Sequence, residues 1–104
     1  MLTINDHLKI RLKNLVYARI REDFPDDYPA NVKRIGREEE NCADIRYLYG
    51  ETFSKVYKMI KEIKLTIENS RDPYEDPAVH NVLEKYCYFI SPSGRHIYGA
   101  GPRF

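Results

Sequence analysis

The sequence predicts an α-rich α+β fold in a single domain spanning residues 1–104, with two main helices (one of them long), a short third helix and a C-terminal β-hairpin. Three observations predict it. Apolar residues recur at helical spacing over residues 3–23 and again over residues 37–69. An Asp-Pro step then precedes a shorter apolar stripe. The end of the chain holds two β-prone runs on either side of a turn signal.

The composition bounds the classes of function. The 17 Lys and Arg residues nearly balance the 16 Asp and Glu residues, and the net charge of +1 predicts no strong field over the whole molecule. A polyanion would therefore have to bind a local patch. No stretch approaches the ~20 apolar residues of a membrane span. Two cysteines without metal-ligand spacing predict reduced thiols and a cytoplasmic location.

The first helix is predicted over about residues 3–23. Thr3 and Asp6 match a capping box, in which two side chains satisfy the free N–H groups of a helix start. Leu8, Leu12, Leu15, Val16 and Ile20 form its apolar stripe. An alternation around Leu8 competes as a strand signal, but the length of the stripe favours a helix. Pro25 ends the helix near Phe24, and "NVKRI" after it fits a short strand or one helical turn.

The strongest predicted element is a long helix over residues 37–69. Glutamates 38–40 suit a helix N-terminus, and Gly50 is its weak point. The apolar positions of this helix form a seam spaced by alternating fours and threes: Tyr49, Phe53, Val56, Ile60, Ile63 and Ile67. Two explanations stay open. The seam is either core covered by the first helix, or the interface of a homodimer or larger assembly.

The opposite face of the long helix carries Lys55, Lys58 and Lys61, with Lys64 nearby. A solvated face is the usual explanation of such a row. The more specific explanation is a ridge of lysines that binds nucleic acid, although Glu62 interrupts the row.

The third helix is predicted after Asp76, which serves as N-cap with Pro77 at the first helical position. Its apolar side is Val79, Val82, Leu83 and Tyr86. Asp72, Glu75 and Asp76 would hold a divalent cation only if other acceptors converged on them. Helix-start electrostatics already account for these acids, so no metal and no cofactor are predicted.

A hairpin is predicted over residues 86–99, because "YCYFI" and "RHIYG" flank the turn "SPSG". From Lys85 to Phe104 the chain contains no Asp or Glu. Cations interleaved with aromatic rings suit single-stranded nucleic acid. The predicted contact surface comprises Lys85, Tyr88, Arg95, His96, Tyr98 and Arg103. The alternative is that the hairpin only closes the core and its cations keep it soluble.

No motif of high specificity for catalysis or metal binding is present, so an enzyme is the less favoured class. The function expected first is a small, non-catalytic macromolecular binding module that binds a protein partner and self-associates through the long helix. The alternative is a single-stranded nucleic-acid-binding protein that uses the hairpin. A second alternative is a metal-independent ribonuclease or phosphodiesterase, with His96, His80 and Arg95 as general base, general acid and phosphate cation and Tyr98 assisting.

Overall fold

A computed structural model describes residues 2–36 and 42–104, with the side chains of residues 42–44 excepted. The described elements are α1 (Ile4–Asp23), a 3-10 helix (Val32–Arg34), α2 (Cys42–Tyr49), α3 (Glu51–Glu68), α4 (Pro77–Lys85), β1 (Phe89–Ile90) and β2 (Ile97–Tyr98). The two strands form one antiparallel sheet. The predicted α-rich α+β class is confirmed.

The predicted capping box at the start of α1 is confirmed. The Thr3 hydroxyl accepts a hydrogen bond from the Asp6 backbone N–H at 3.1 Å, and the Asp6 carboxylate accepts one from the Thr3 N–H at 2.9 Å. Hydrogen bonding of the Asp6 carboxylate to the Thr3 backbone N–H, and next to the Thr3 side chain, lowers the pKa of Asp6. At the other end, Phe24 donates its N–H to the Ile20 carbonyl, and the helix stops before Pro25 as predicted.

The predicted single helix over residues 37–69 is wrong, because the chain breaks at Gly50 into α2 and α3. Gly50 has φ 98° and ψ 169°, a backbone conformation that is essentially restricted to glycine. Its N–H ends α2 on the Arg46 carbonyl, and its own carbonyl begins α3 by accepting from Ser54. The predicted helix start at glutamates 38–40 lies outside the described residues.

The core forms where α1 and α4 pack against α3. The residues that it buries include Leu12, Val16 and Ile20 of α1, Val56, Met59, Ile60, Ile63 and Ile67 of α3, Val79, Val82 and Leu83 of α4, and Tyr88 and Ile97 of the hairpin region. Four of the six predicted seam residues are therefore fully buried within the chain's own core: Val56, Ile60, Ile63 and Ile67. For these four, the core explanation of the seam applies and the interface explanation does not.

The lysine row along α3 does not form one solvated face. Lys55 and Lys58 are exposed, but Lys64 is only 2% exposed. The Lys64 ammonium donates to the carbonyl oxygens of Lys33 at 3.0 Å and Ile35 at 2.6 Å. The segment "NVKRI" is thus a turn of 3-10 helix whose carbonyls are held by a buried cation from α3. The burial of Lys64 removes it from any ridge formed by the other lysines of α3.

The start of α4 is as predicted. The Asp76 carboxylate accepts from the Ala78 N–H at 2.9 Å and from the Ser70 hydroxyl at 2.6 Å, and Pro77 occupies the first turn. The Ser70 bond, followed by the Ala78 bond, lowers the pKa of Asp76. Asp76 therefore works as a helix cap.

The end of α4 explains why the first strand begins later than predicted. Cys87 has φ 58°, and its N–H donates to the Glu84 carbonyl, while the Tyr88 N–H reaches back to the Leu83 carbonyl. These two bonds define a Schellman motif, in which the residue after the left-handed one turns towards the helix it leaves. Residues 86–88 therefore terminate α4, and Tyr88 is directed into the core.

The predicted hairpin is confirmed, with Phe89 opposite Tyr98 and Ile90 opposite Ile97. The turn closes where Gly94 donates its N–H to the Ser91 carbonyl. The Ser91 hydroxyl in turn accepts from the N–H groups of Arg95 at 3.2 Å and His96 at 3.1 Å. Both residues that follow the turn are held by their backbones, so their side chains are free to face solvent.

The hairpin is fastened to the end of α1 by a network around Asp23. The Asp23 carboxylate accepts from the Tyr88 hydroxyl at 2.7 Å and lies 3.2 Å from the Arg19 guanidinium. The same guanidinium donates to the carbonyls of Ile97 at 3.2 Å and Gly99 at 2.6 Å. These bonds fix the orientation of the sheet on the helices.

Buried tyrosines predict a loss of stability at alkaline pH. Burial raises the pKa of Tyr88, Tyr86 and Tyr17, with further contributions from Asp23, Glu62 and Glu68 respectively. The unfolded chain releases these protons near the ordinary pKa of about 10, whereas the folded chain keeps them. The stabilisation is thus complete below about pH 10 and is lost as the pH rises further.

We expect the free energy of unfolding in urea to fall steadily from about pH 10 to about pH 12. The Tyr88→Phe variant lacks one of the three protons and should lose less stability over the same interval. Equal pH dependence in the variant and the wild type would contradict this assignment.

Candidate functional site

The outward face of the hairpin carries an exposed aromatic pair. The rings of Phe89 and Tyr98 stack across the two strands with their centroids 6.1 Å apart and an interplanar angle of 30°. Phe89 is 40% exposed and Tyr98 50% exposed, while Ile97, on the opposite face of the sheet, is buried. His96 precedes Tyr98 by two residues, so it lies on the same outward face.

Four of the six residues predicted for the contact surface are exposed on the hairpin and the tail: Arg95, His96, Tyr98 and Arg103. The remaining two are Tyr88 and Lys85, and of these Tyr88 requires correction. Tyr88 is 0% exposed, because the end of α4 turns it inward onto Asp23, so it cannot contact a partner. Lys85 is exposed but already paired, with its ammonium 2.9 Å from the Glu62 carboxylate and 5.4 Å from the Tyr86 ring centroid.

Two aromatic residues that the sequence prediction left out belong to this region. Phe89 is exposed because Tyr88 is buried and successive strand residues face opposite ways. Phe104 stacks on Phe24 with the ring centroids 5.5 Å apart, which anchors the tail and places the exposed Arg103 beside an aromatic pair. Phe89 would have been identified if the sequence had indicated which residues of the strand face outward.

A second exposed apolar surface lies where α2 meets α3. It comprises Tyr47, Leu48, Tyr49 and Phe53, and we call it the α2 patch. Tyr47 is 90% exposed, Leu48 67% and Tyr49 63%, and the Tyr49 ring lies 4.8 Å from the ring of Phe53. Tyr49 and Phe53 are the two predicted seam residues that the core does not cover completely.

Charges of both signs surround the α2 patch. Arg46, Glu51 and Lys55 are exposed. None of the three forms a salt bridge with another residue in the described part of the chain. The rim of the patch thus offers an acid and two bases to a partner.

A cleft of about 570 Å³ opens between α1, the loop before α4, α4 itself and the hairpin turn. Its lining includes Arg11, Asp72, Tyr74, His80, Ser91 and Ser93. The ring Nε2 of His80 lies 2.6 Å from the Tyr74 carbonyl oxygen. A carbonyl only accepts, so this nitrogen carries the proton and is already engaged.

The residues suggested for a ribonuclease do not share this cleft. His80 lines it, whereas Arg95, His96 and Tyr98 are absent from its walls. Of the three proposed catalytic groups, only the general acid His80 therefore lines this cleft.

Within residues 2–36 and 42–104, no three His, Cys, Asp or Glu side chains gather in a way that could hold a metal ion. Over the same ranges, no helix is long and apolar enough to cross a membrane. Cys87 is a free, exposed thiol. The chain matches no protein-family model, no curated protein and no solved structure.

Proposed function

We propose that this chain is a small, non-catalytic macromolecular binding module that associates with a second copy of itself through the α2 patch. The observation that carries the proposal is the run Tyr47, Leu48 and Tyr49, three consecutive apolar residues that are each more than half exposed. Because neighbouring residues point to different sides of a helix, these side chains leave more than half of the circumference at this end of α2 apolar and exposed. Large exposed apolar surface on a folded domain is typical of interaction sites, and tyrosine is enriched in the centres of interfaces.

The charges at the rim of the patch favour a second copy as the occupant. A two-fold interface requires one surface to be complementary to itself. Along the chain, Glu51 lies between Arg46 and Lys55, and all three side chains are exposed. A two-fold axis that passes between Glu51 and one of the two cations would bring Glu51 of each copy against that cation of the other, so the rim can be complementary to itself.

The core supports the patch by fixing its position. Phe53 precedes Val56 by three residues on α3, and Val56 is fully buried. The turn of α3 that presents Phe53 is thus held by the packing of the remaining turns of α3, and the Tyr49 ring at the end of α2 lies 4.8 Å from the Phe53 ring. A surface that is already ordered loses little conformational entropy when it binds.

The Leu48→Glu variant tests this proposal. It places a charge at the centre of the patch, at a position where the side chain is exposed in the isolated chain. We expect the wild type to sediment as a dimer at micromolar concentration. The variant should dissociate at least about tenfold more readily, which corresponds to about 1.4 kcal/mol, with unchanged circular dichroism.

The matched control is Ile4→Glu, which alters an equally exposed apolar residue on α1, away from the patch. It should leave the association unchanged. A wild type that stays monomeric throughout the micromolar range, or a Leu48→Glu variant that associates as the wild type does, would contradict the proposal.

A further inference from the structure

The outward aromatic pair of the hairpin is not required to fill the core. The inner face of the sheet is closed by Ile97, which is buried, and Ile90, which packs against the core. Phe89 and Tyr98 point the other way and keep about half of their surfaces in solvent. A cross-strand aromatic contact contributes only modestly to a sheet, so the two large exposed rings are available to a ligand.

The geometry of this pair suits unstacked bases. The rings stack with their centroids 6.1 Å apart and 30° from parallel, and each keeps a large part of its surface in solvent, where a base can extend the stack. Proteins that bind single strands use successive aromatic rings in this way, because every base offers a π-face. Paired bases in a duplex are stacked on each other and do not expose those faces.

The charge of the hairpin and the tail is complementary to phosphate. From residue 85 to residue 104 there is no Asp or Glu, while Arg95, His96 and Arg103 are exposed. Neither arginine forms a salt bridge within the described part of the chain. The Asp23 carboxylate, which reaches the hairpin from α1, is neutralised by Arg19 at 3.2 Å.

We propose that the outward face of the hairpin binds single-stranded nucleic acid. Bases stack on Phe89 and Tyr98, a phosphate contacts His96 on the same face, and neighbouring phosphates contact Arg95 at the turn and Arg103 in the tail. This site is formed by residues other than those of the α2 patch, so it goes beyond self-association and is tested separately. Stacking and phosphate contacts carry little sequence information, and the preference is for single strands over duplexes rather than for one sequence.

The test measures fluorescence anisotropy of a labelled oligo(dT) and a labelled oligo(U), each of ~12 nucleotides to fit the usual site size. We expect the wild type to bind both. Phe89→Leu and Tyr98→Leu keep apolar bulk but remove the ring, and each should weaken binding by about fivefold or more. The matched control is Tyr47→Leu, which removes an exposed ring from the α2 patch and should leave binding unchanged.

The Arg95→Gln, Arg103→Gln double variant tests the phosphate contacts. Each lost contact should lower the slope of log affinity against log salt by about 0.7 on a single strand, so the double variant should lose about 1.4. Lys58→Gln, an exposed cation on α3, is the control for general electrostatics and should change the slope little.

Several results would overturn the proposal. The first two are a wild type that does not bind in low salt and ring variants that bind as the wild type does. The other two are control variants that weaken binding as much as the test variants, and a wild type that binds a duplex as tightly as a single strand. Loss of binding in Leu48→Glu alone, with intact binding in the hairpin variants, would place the ligand on the α2 patch instead. Circular dichroism verifies that each variant is folded.

Discussion

The Ile60→Glu variant is expected to be unfolded at room temperature. Ile60 lies in the middle of α3, is 0% exposed and packs within the core formed with α1 and α4. A carboxylate at this position would be buried without a partner, which costs several kcal/mol beyond the lost apolar contacts. Because a domain of this size has a total stability of only about 5–15 kcal/mol, one such change removes most of it.

Circular dichroism and urea unfolding would measure the effect directly. Lys58→Glu is the matched control, because it introduces the same side chain two residues away at an exposed position of the same helix. It should retain a cooperative transition. A folded, monomeric Ile60→Glu protein would contradict the core packing, since it would mean that Ile60 faces a partner rather than the interior of its own chain.

The Lys64→Met variant is expected to lose about 3 kcal/mol of stability. Methionine keeps the apolar stem of the side chain but removes the ammonium group. The carbonyl oxygens of Lys33 and Ile35, which accept from it at 3.0 and 2.6 Å, then lose a charged donor. The Glu68 carboxylate, 3.9 Å from the same ammonium, loses a neighbouring cation.

The comparison with Lys58→Met isolates the effect of burial, because the same substitution on the same helix occurs at a solvent-exposed site. Its expected change in unfolding free energy is within about 0.5 kcal/mol. Hydrogen exchange should also show faster exchange in the 3-10 helix of the Lys64→Met protein. A loss of stability as small as that of the control would mean that Lys64 does not hold this segment.

The features that the sequence predicted correctly are specified by local interactions. The Thr3–Asp6 capping box and the Asp76 cap each join residues two or three positions apart. The hairpin follows from a turn signal between two β-prone runs. In each case a few neighbouring side chains determine the local backbone conformation, so it can be predicted without knowledge of the rest of the fold.

The features that the sequence did not predict depend on contacts between distant residues. Lys64 is buried by carbonyls that lie 31 and 29 residues earlier in the chain. Tyr88 is held by Asp23, 65 residues away. Gly50 was identified as the weak point of the predicted helix, but a complete break there was not predicted, since a glycine inside a helix costs only about 1 kcal/mol and helical periodicity alone does not exclude it.

The same difference between local and distant contacts explains which site residues the sequence identified and which it did not. The exposed positions Arg95, His96, Tyr98 and Arg103 follow the turn or lie in the tail, where sequence position already indicates exposure. Phe89 was missed and Tyr88 wrongly included, because the Schellman motif at the end of α4 sets the phase of the strand. Tyr47 and Leu48 were missed because they lie off the seam of a helix that was assumed to be continuous.

The α2 patch as a self-association surface is tested most directly by isotope-filtered nuclear Overhauser measurements on an equal mixture of labelled and unlabelled chains. Such a measurement detects only protons of different copies that lie close together. We expect intermolecular contacts from the rings of Tyr47, Tyr49 and Phe53, whose exposed surfaces form the patch. Intermolecular contacts confined to other surfaces, or none at a concentration where the rings are fully observed, would contradict the account.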